Sequence, residues 1–224
     1  MKLRLMIRHG IKGIVRVAIR IIVEFIHRVI INLFDTLFGF LNWPEKKLRI
    51  KLFILINREG HTPPVPGETD KSIDFATRCF QKNFNVKLLP HHPEEPFAEL
   101  LQKIPPSEAL YVKCNAGAIG EEFKIAGSFF SSNLSGPLYP VTAYVVIDIS
   151  GKDGCCIGPV TDYLTLDANG IRIFTTLAHE IGHSCGLWHI RKRSNLMWPH
   201  RDRGDDVKWW QKNLFRGSRH VTYW

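Results

Sequence analysis

Residues 179–189 read HEIGHSCGLWH. His179 and His183 stand four apart, so on an α-helix both imidazoles leave one face, about 40° apart, and can bind one ion. Glu180 lies about 60° from His183 on the same helix. From there it reaches a water at the ion without being a ligand. Gly186 then ends the helix, because glycine alone enters the left-handed conformation cheaply. The turn it permits brings His189 back as a third ligand. Three neutral nitrogens leave a fourth zinc position open, which is the arrangement of a catalytic site. Glu180 is the candidate general base and acid, taking a proton from the activated water and handing it to a leaving amine.

Outward from this stretch, strand and helix signals alternate. The helix carrying the histidines is expected over 170–185, with Asn169 as its cap. Residues 48–56 (LRIKLFILI) read as a buried strand. Residues 70–83 show helical apolar spacing at Ile73, Ala76, Phe80 and Phe84, with Asp70 as N-cap. Strands are expected at 86–89, 110–113, 143–149 and 163–166. A loop rich in Gly, Ser and Pro spans 114–140, with a strand near 123–130, and a last helix covers 205–215. The pattern is α+β, a mixed twisted sheet with helices packed on it.

The HExxHxxGxxH spacing, followed by Ser194-Asn195-Leu196-Met197-Trp198-Pro199, resembles the signature of the metzincin zinc proteases with their Met-turn. The Leu-Met-aromatic-Pro run is most similar to the matrixin branch. The resemblance implies a metzincin-like sheet with a long active-site helix, and zinc on His179, His183 and His189. It also implies Met197 as an apolar floor beneath the metal. Pro199 stands where other branches carry a zinc-binding tyrosine, so no fifth ligand is expected. A protein or peptide substrate would lie along an edge strand drawn from 123–149. The family analogy points to an extracytoplasmic or secreted setting. No cysteine-switch motif precedes the body, so latency of that style is not expected. No histidine lies between His92 and His179, so a second, structural zinc is not expected there.

The chain has 224 residues, 45% hydrophobic and 23% charged, which excludes disordered and fibrous classes. Its net charge is +9, and residues 1–58 hold all of it: 12 Lys/Arg stand against Glu24, Asp35 and Glu45. The remainder is balanced, with 18 residues of each sign. Residues 1–44 form the N-terminal segment and 45–224 the catalytic domain, with Pro44 at the boundary. In the first segment charges recur every four residues, at Arg4, Arg8, Lys12, Arg16, Arg20, Glu24 and Arg28, amid Ile, Val, Leu and Phe. That is a basic amphipathic helix suited to an anionic membrane surface. A helix packed on the body or a partner chain is the alternative, and a span the third reading. The intervening residues are too greasy for nucleic-acid binding. The chain is thus expected to be peripherally membrane-associated. A non-catalytic module, in which zinc only stabilises a membrane-recruited binding domain, is the rival function. Glu180 argues against it, since a structural site has no use for an unliganded carboxylate.

Other residues carry less. Asp148, Asp153, Asp162 and Asp167 are candidate calcium ligands, though turns rich in Asp explain them equally. The five cysteines read by default as buried free thiols, with one disulfide conceivable. Trp188, Trp209 and Trp210 are expected in packing roles. His200 follows the Met-turn and is not counted among the site residues.

Overall fold

The computed structural model describes residues 18–19, 22–23, 25–35, 37, 44–55, 66–91, 94, 96–101, 111–112, 114, 140–159 and 163–223. The strand expected near 123–130 lies outside them, as do Glu24, His92 and Asp162.

The spine is β1 (Lys46–Leu55), whose alternate residues Leu48, Ile50, Leu52 and Ile54 are buried. Period-two burial with branched side chains is what a sheet interior requires. On one edge β1 pairs in parallel with β2 (Val86–Pro90) and further along with β3 (Ala98–Leu101). On the other it pairs in parallel with β4 (Val141–Val146). The sheet continues through β6 (Tyr163–Asp167), parallel to β4, to β5 (Gly154–Cys155), which runs antiparallel at its border. A short β7 (Val221–Thr222) returns antiparallel to the start of β1. The sheet is therefore mixed. Among the described residues β4 is interior and β5 forms the border of the sheet beside the site; residues 123–139 of the expected edge-strand region lie outside them.

Helices cover this sheet. Residues 25–35 form α1. The next, α2 (Asp70–Phe84), buries Ile73, Ala76, Phe80 and Phe84 at the expected spacing. Asp70 is its first residue, after Thr69, and Asn85 closes it in the left-handed conformation. The site helix α3 (Thr176–Ser184) is shorter than its sequence pattern suggests. Residues Gly170–Arg172 form a separate 3-10 turn, and extended Ile173 breaks the run. The Oδ1 atom of Asp167 accepts the Asn169 and Gly170 N–H groups at 2.7 and 3.1 Å, fixing that turn in place of the expected Asn169 cap. The last helix, α4 (Trp209–Arg216), stacks Phe215 on Phe84, with ring centroids 4.0 Å apart.

Helix α1 docks with its polar side inward. Asp35 is buried against Lys46, 2.9 Å away, and accepts a bond from the Tyr223 hydroxyl. Arg216, wholly buried, lies 3.6 Å from the same carboxylate and donates to the carbonyls of Phe84 and Pro44. Arg28 donates to the carbonyls of Leu214 at 2.7 Å and Cys185 at 2.9 Å. Outward, the helix shows Ile22, Phe25, Ile26, Val29, Leu33 and Leu37, each more than half exposed. The inward stripe at Arg28, Ile31, Asn32 and Asp35 is helical spacing, with polar residues at every place but Ile31.

Two further expectations change. Cys114 and Cys155 form a disulfide across 41 residues. The bridge between Tyr111 and Asp148 carries residue 114 back across the end of the sheet, where β5 presents Cys155. Cys79, Cys156 and Cys185 are free. Trp188 and Trp209 are exposed at 69% and 75%, so neither packs in the core.

Candidate active site

Helix α3 is buried around its circumference, leaving His183 as the partly open position on its last turn. The Gly186 N–H bonds the His183 carbonyl and the Leu187 N–H bonds that of Gly182, both at 2.9 Å. Gly186 sits at φ 87°, the left-handed value its place demands. The reversal returns His189 to the helix, and the ligand atoms of His179, His183 and His189 all fall within 4.8 Å of one another.

Each helical histidine is held by its far nitrogen. Nδ1 of His179 donates to the Leu196 carbonyl at 2.9 Å, and Nδ1 of His183 to the Leu187 carbonyl at 2.8 Å. A carbonyl can only accept, so both Nε2 atoms present lone pairs. They meet Nε2 of His189 at 3.2 and 3.1 Å. Lone pairs converging at that distance fit a cation, and spacing above 3 Å matches Zn–N bonds of about 2.0–2.1 Å. Burial, then the nearby Arg203 charge, holds His179 down to about 2; burial likewise holds His183 down to about 4. Both are therefore neutral, as metal ligands must be.

Glu180 is buried, and its burial pushes the carboxyl up to about 8 against the opposing pull of Arg203 and Lys152. Its side chain lies over Gly154 of β5. A Cβ there would come within 2.7 Å of Glu180 Cγ. Gly154 thus clears the berth for the carboxylate. Met197 is fully buried, and its sulfur lies 2.7 Å from where a Cβ on Gly182 would sit, on the helix turn between the two histidines. The Ile190 N–H bonds the Met197 carbonyl at 2.9 Å, tying the segment after His189 to the one bearing Met197.

Several contributors escape a sequence reading. Asn195 Oδ1 accepts the Met197 N–H at 2.9 Å, while its amide donates to buried Gln211 of α4 at 2.9 Å. Asp153 holds Arg201 through a two-pronged pair at 2.7 and 2.9 Å. Of the candidate calcium carboxylates, Asp153 pairs with Arg201, Asp167 accepts from its turn, and Asp148 accepts from the Ser150 N–H; Asp162 lies outside the described residues. Among the described residues the three histidines form the one cluster suited to a metal. A cavity of about 770 Å³ opens over them, bordered by Glu180, Gly154, the Cys114–Cys155 bridge, His200 and Arg203.

This is the architecture of a metallopeptidase: a mixed sheet, a helix bearing two histidines, and a third returned by a glycine turn. A family model described as matrixin matches residues 98–211, about half of the chain. The chain belongs to the matrixin family. Its fold is similar to the crystal structure of metalloproteinase-II from Bacteroides fragilis, with a TM-score of 0.52 at 14% identity. That likeness covers 78% of this chain and 53% of the other, so the chain spans about half of that protein's length. No curated protein sequence matches it.

Proposed function

We propose that this chain is a zinc-dependent endopeptidase, and the converging lone pairs of three neutral histidines beside buried Glu180 carry that reading. Zinc on His179, His183 and His189 would supply Lewis acidity towards a peptide carbonyl and acidify a water. Glu180 takes the proton from that water at its carboxylate and delivers it to the departing amine nitrogen. Its raised pKa belongs to the metal-free site; a dication held by the three histidines would draw the carboxyl down towards the ionised form that a base requires. Gly154 keeps the carboxylate in line, and Met197 supports the helix turn from below. The backbone of β5 offers an extended peptide a strand to pair with. The test is cleavage of a broad peptide library before and after chelation. Cleavage lost with the metal and restored by zinc supports the reading; no cleavage by zinc-loaded protein overturns it.

Residues 1–44 we read as a recruiting segment for the 45–224 catalytic domain, with an anionic bilayer as the occupant of the exposed face of α1. No helix among the described residues is long and apolar enough to cross a membrane. The exposed apolar face of α1 suits insertion at the headgroup boundary, and Arg16 and Arg20 precede it in the sequence. The Cys114–Cys155 bridge favours an extracytoplasmic compartment, where disulfides persist. Full-length protein should co-sediment with phosphatidylglycerol vesicles, and a Phe25→Ser, Ile26→Ser, Val29→Ser triple variant should not. Equal sedimentation of the two would refute the surface assignment.

A further inference from the structure

Arg203 is 8% exposed yet borders the cavity over the histidines. Its Nε donates to the carbonyls of His200 at 3.0 Å and Trp198 at 3.2 Å, which fixes the guanidinium plane. Its Nη1 is buried without a hydrogen-bond partner. Among the described residues no carboxylate lies within ion-pair distance of Arg203. Asp202, its chain neighbour, is taken by Arg193 at 2.7 Å and by the Trp198 indole at 3.0 Å. Asp153 is taken by Arg201. Glu180 is close enough to feel the charge but forms no pair with it. Lys152, exposed on the cavity border, likewise has no ion pair among the described residues.

A fixed, desolvated guanidinium with spare donors is costly to leave unpaired. It is also the group best shaped to grip a carboxylate through two parallel bonds. We propose that Arg203, assisted by Lys152, selects substrates carrying a carboxylate beside the scissile bond. Such a carboxylate belongs either to an Asp or Glu side chain or to the substrate's own C-terminus. This inference rests on the peptidase reading and gives that site its substrate class. The carboxylate would meet the guanidinium where Arg203 borders the cavity, while the peptide backbone lies along β5.

The experiment compares matched peptides bearing Glu or Gln at each position flanking the cleaved bond, each as C-terminal acid and amide. Zinc-loaded wild type, Arg203→Gln, Arg203→Lys and Lys152→Gln are assayed, with zinc content and circular dichroism checking each fold. Wild type should prefer the carboxylate by about tenfold or more in kcat/KM. The Glu/Gln arms and the acid/amide arms show which source is read. Arg203→Gln should bring the ratio near one, Lys152→Gln should reduce it, and Arg203→Lys should restore part of it. Cleavage indifferent to the carboxylate, or a preference unchanged in Arg203→Gln, overturns the inference and leaves the peptidase standing. Cleavage of no peptide at all overturns both.

Discussion

Helices α1 and α3 are joined where Arg28 holds the Cys185 carbonyl just past the end of α3, and they are built on opposite plans. Helix α3 buries Leu177, Ala178 and Ile181 together with His179 and Glu180, and leaves His183 partly open. Helix α1 turns its polar residues inward, to Lys46, Arg216, Tyr223 and the carbonyls of Leu214 and Cys185, and leaves its apolar face outside. Hydrophobic periodicity reports that a helix has two faces; it does not say which one is inside. In α3 burial drives docking, whereas in α1 a few buried charged contacts fix it. Arg28 joins them, because the carbonyl it holds belongs to Cys185, where α3 ends and the return towards His189 begins.

The contrast breaks hardest at Asp35. Asp35→Ala strands Lys46, which is already pushed down to about 8 by burial, beside Arg216 without its carboxylate. We expect a loss of about 3–5 kcal/mol in urea unfolding. An apolar-docked helix would lose far less.

A smaller loss is expected from Arg28→Met, which keeps the stem and removes two charged bonds, about 1.5–3 kcal/mol each. If Arg28 couples the helices, zinc affinity falls along with stability. An unchanged zinc Kd would confine Arg28 to docking alone.

On the α3 side, Gly154→Ala should displace Glu180 without touching a ligand. Cleavage should fall about 10²-fold or more while zinc content holds, as expected for a misplaced general base. Retained activity would show that Glu180 tolerates the crowding.

The weakest effect lies in the metal-free protein's pH dependence. His183 and His179 sit at about 4 and about 2 when folded, against 6.5 when free, so below pH 6.5 the unfolded chain binds more protons. Stability falls as pH drops from 6.5 through 4. Glu180 works in the other direction: its carboxyl ionises near 4.5 when free and near 8 when folded. Stability therefore also falls as pH rises through that window. Urea titrations should show Glu180→Gln flattening the alkaline limb and His183→Gln the acid one.

The histidine cluster was legible because all three histidines and Gly186 lie within eleven consecutive residues, where a helix and its closing turn bring them together. The mixed sheet and its central strand were legible for the same local reason, since period two over 48–55 needs no partner to be seen. What stayed hidden is non-local. Gly154 matters only because β5 passes beneath Glu180. Arg203 matters only because its loop folds back over the cavity. The Cys114–Cys155 bridge joins segments that no spacing rule connects. The inverted docking of α1 depends on Lys46 and Arg216, which nothing in residues 1–44 announces. The helix over 170–185 was overextended because Asp167, in the preceding strand, holds its first turn in another form.

The central claim is that three histidines hold zinc while Glu180, buried beside them, moves the proton. Zinc content and kcat measured together on wild type and Glu180→Ala test it most directly. The expected result is one zinc per chain in both, with cleavage reduced about 10²–10⁴-fold in the variant. Undiminished cleavage by Glu180→Ala, or zinc lost with the carboxylate, would contradict it.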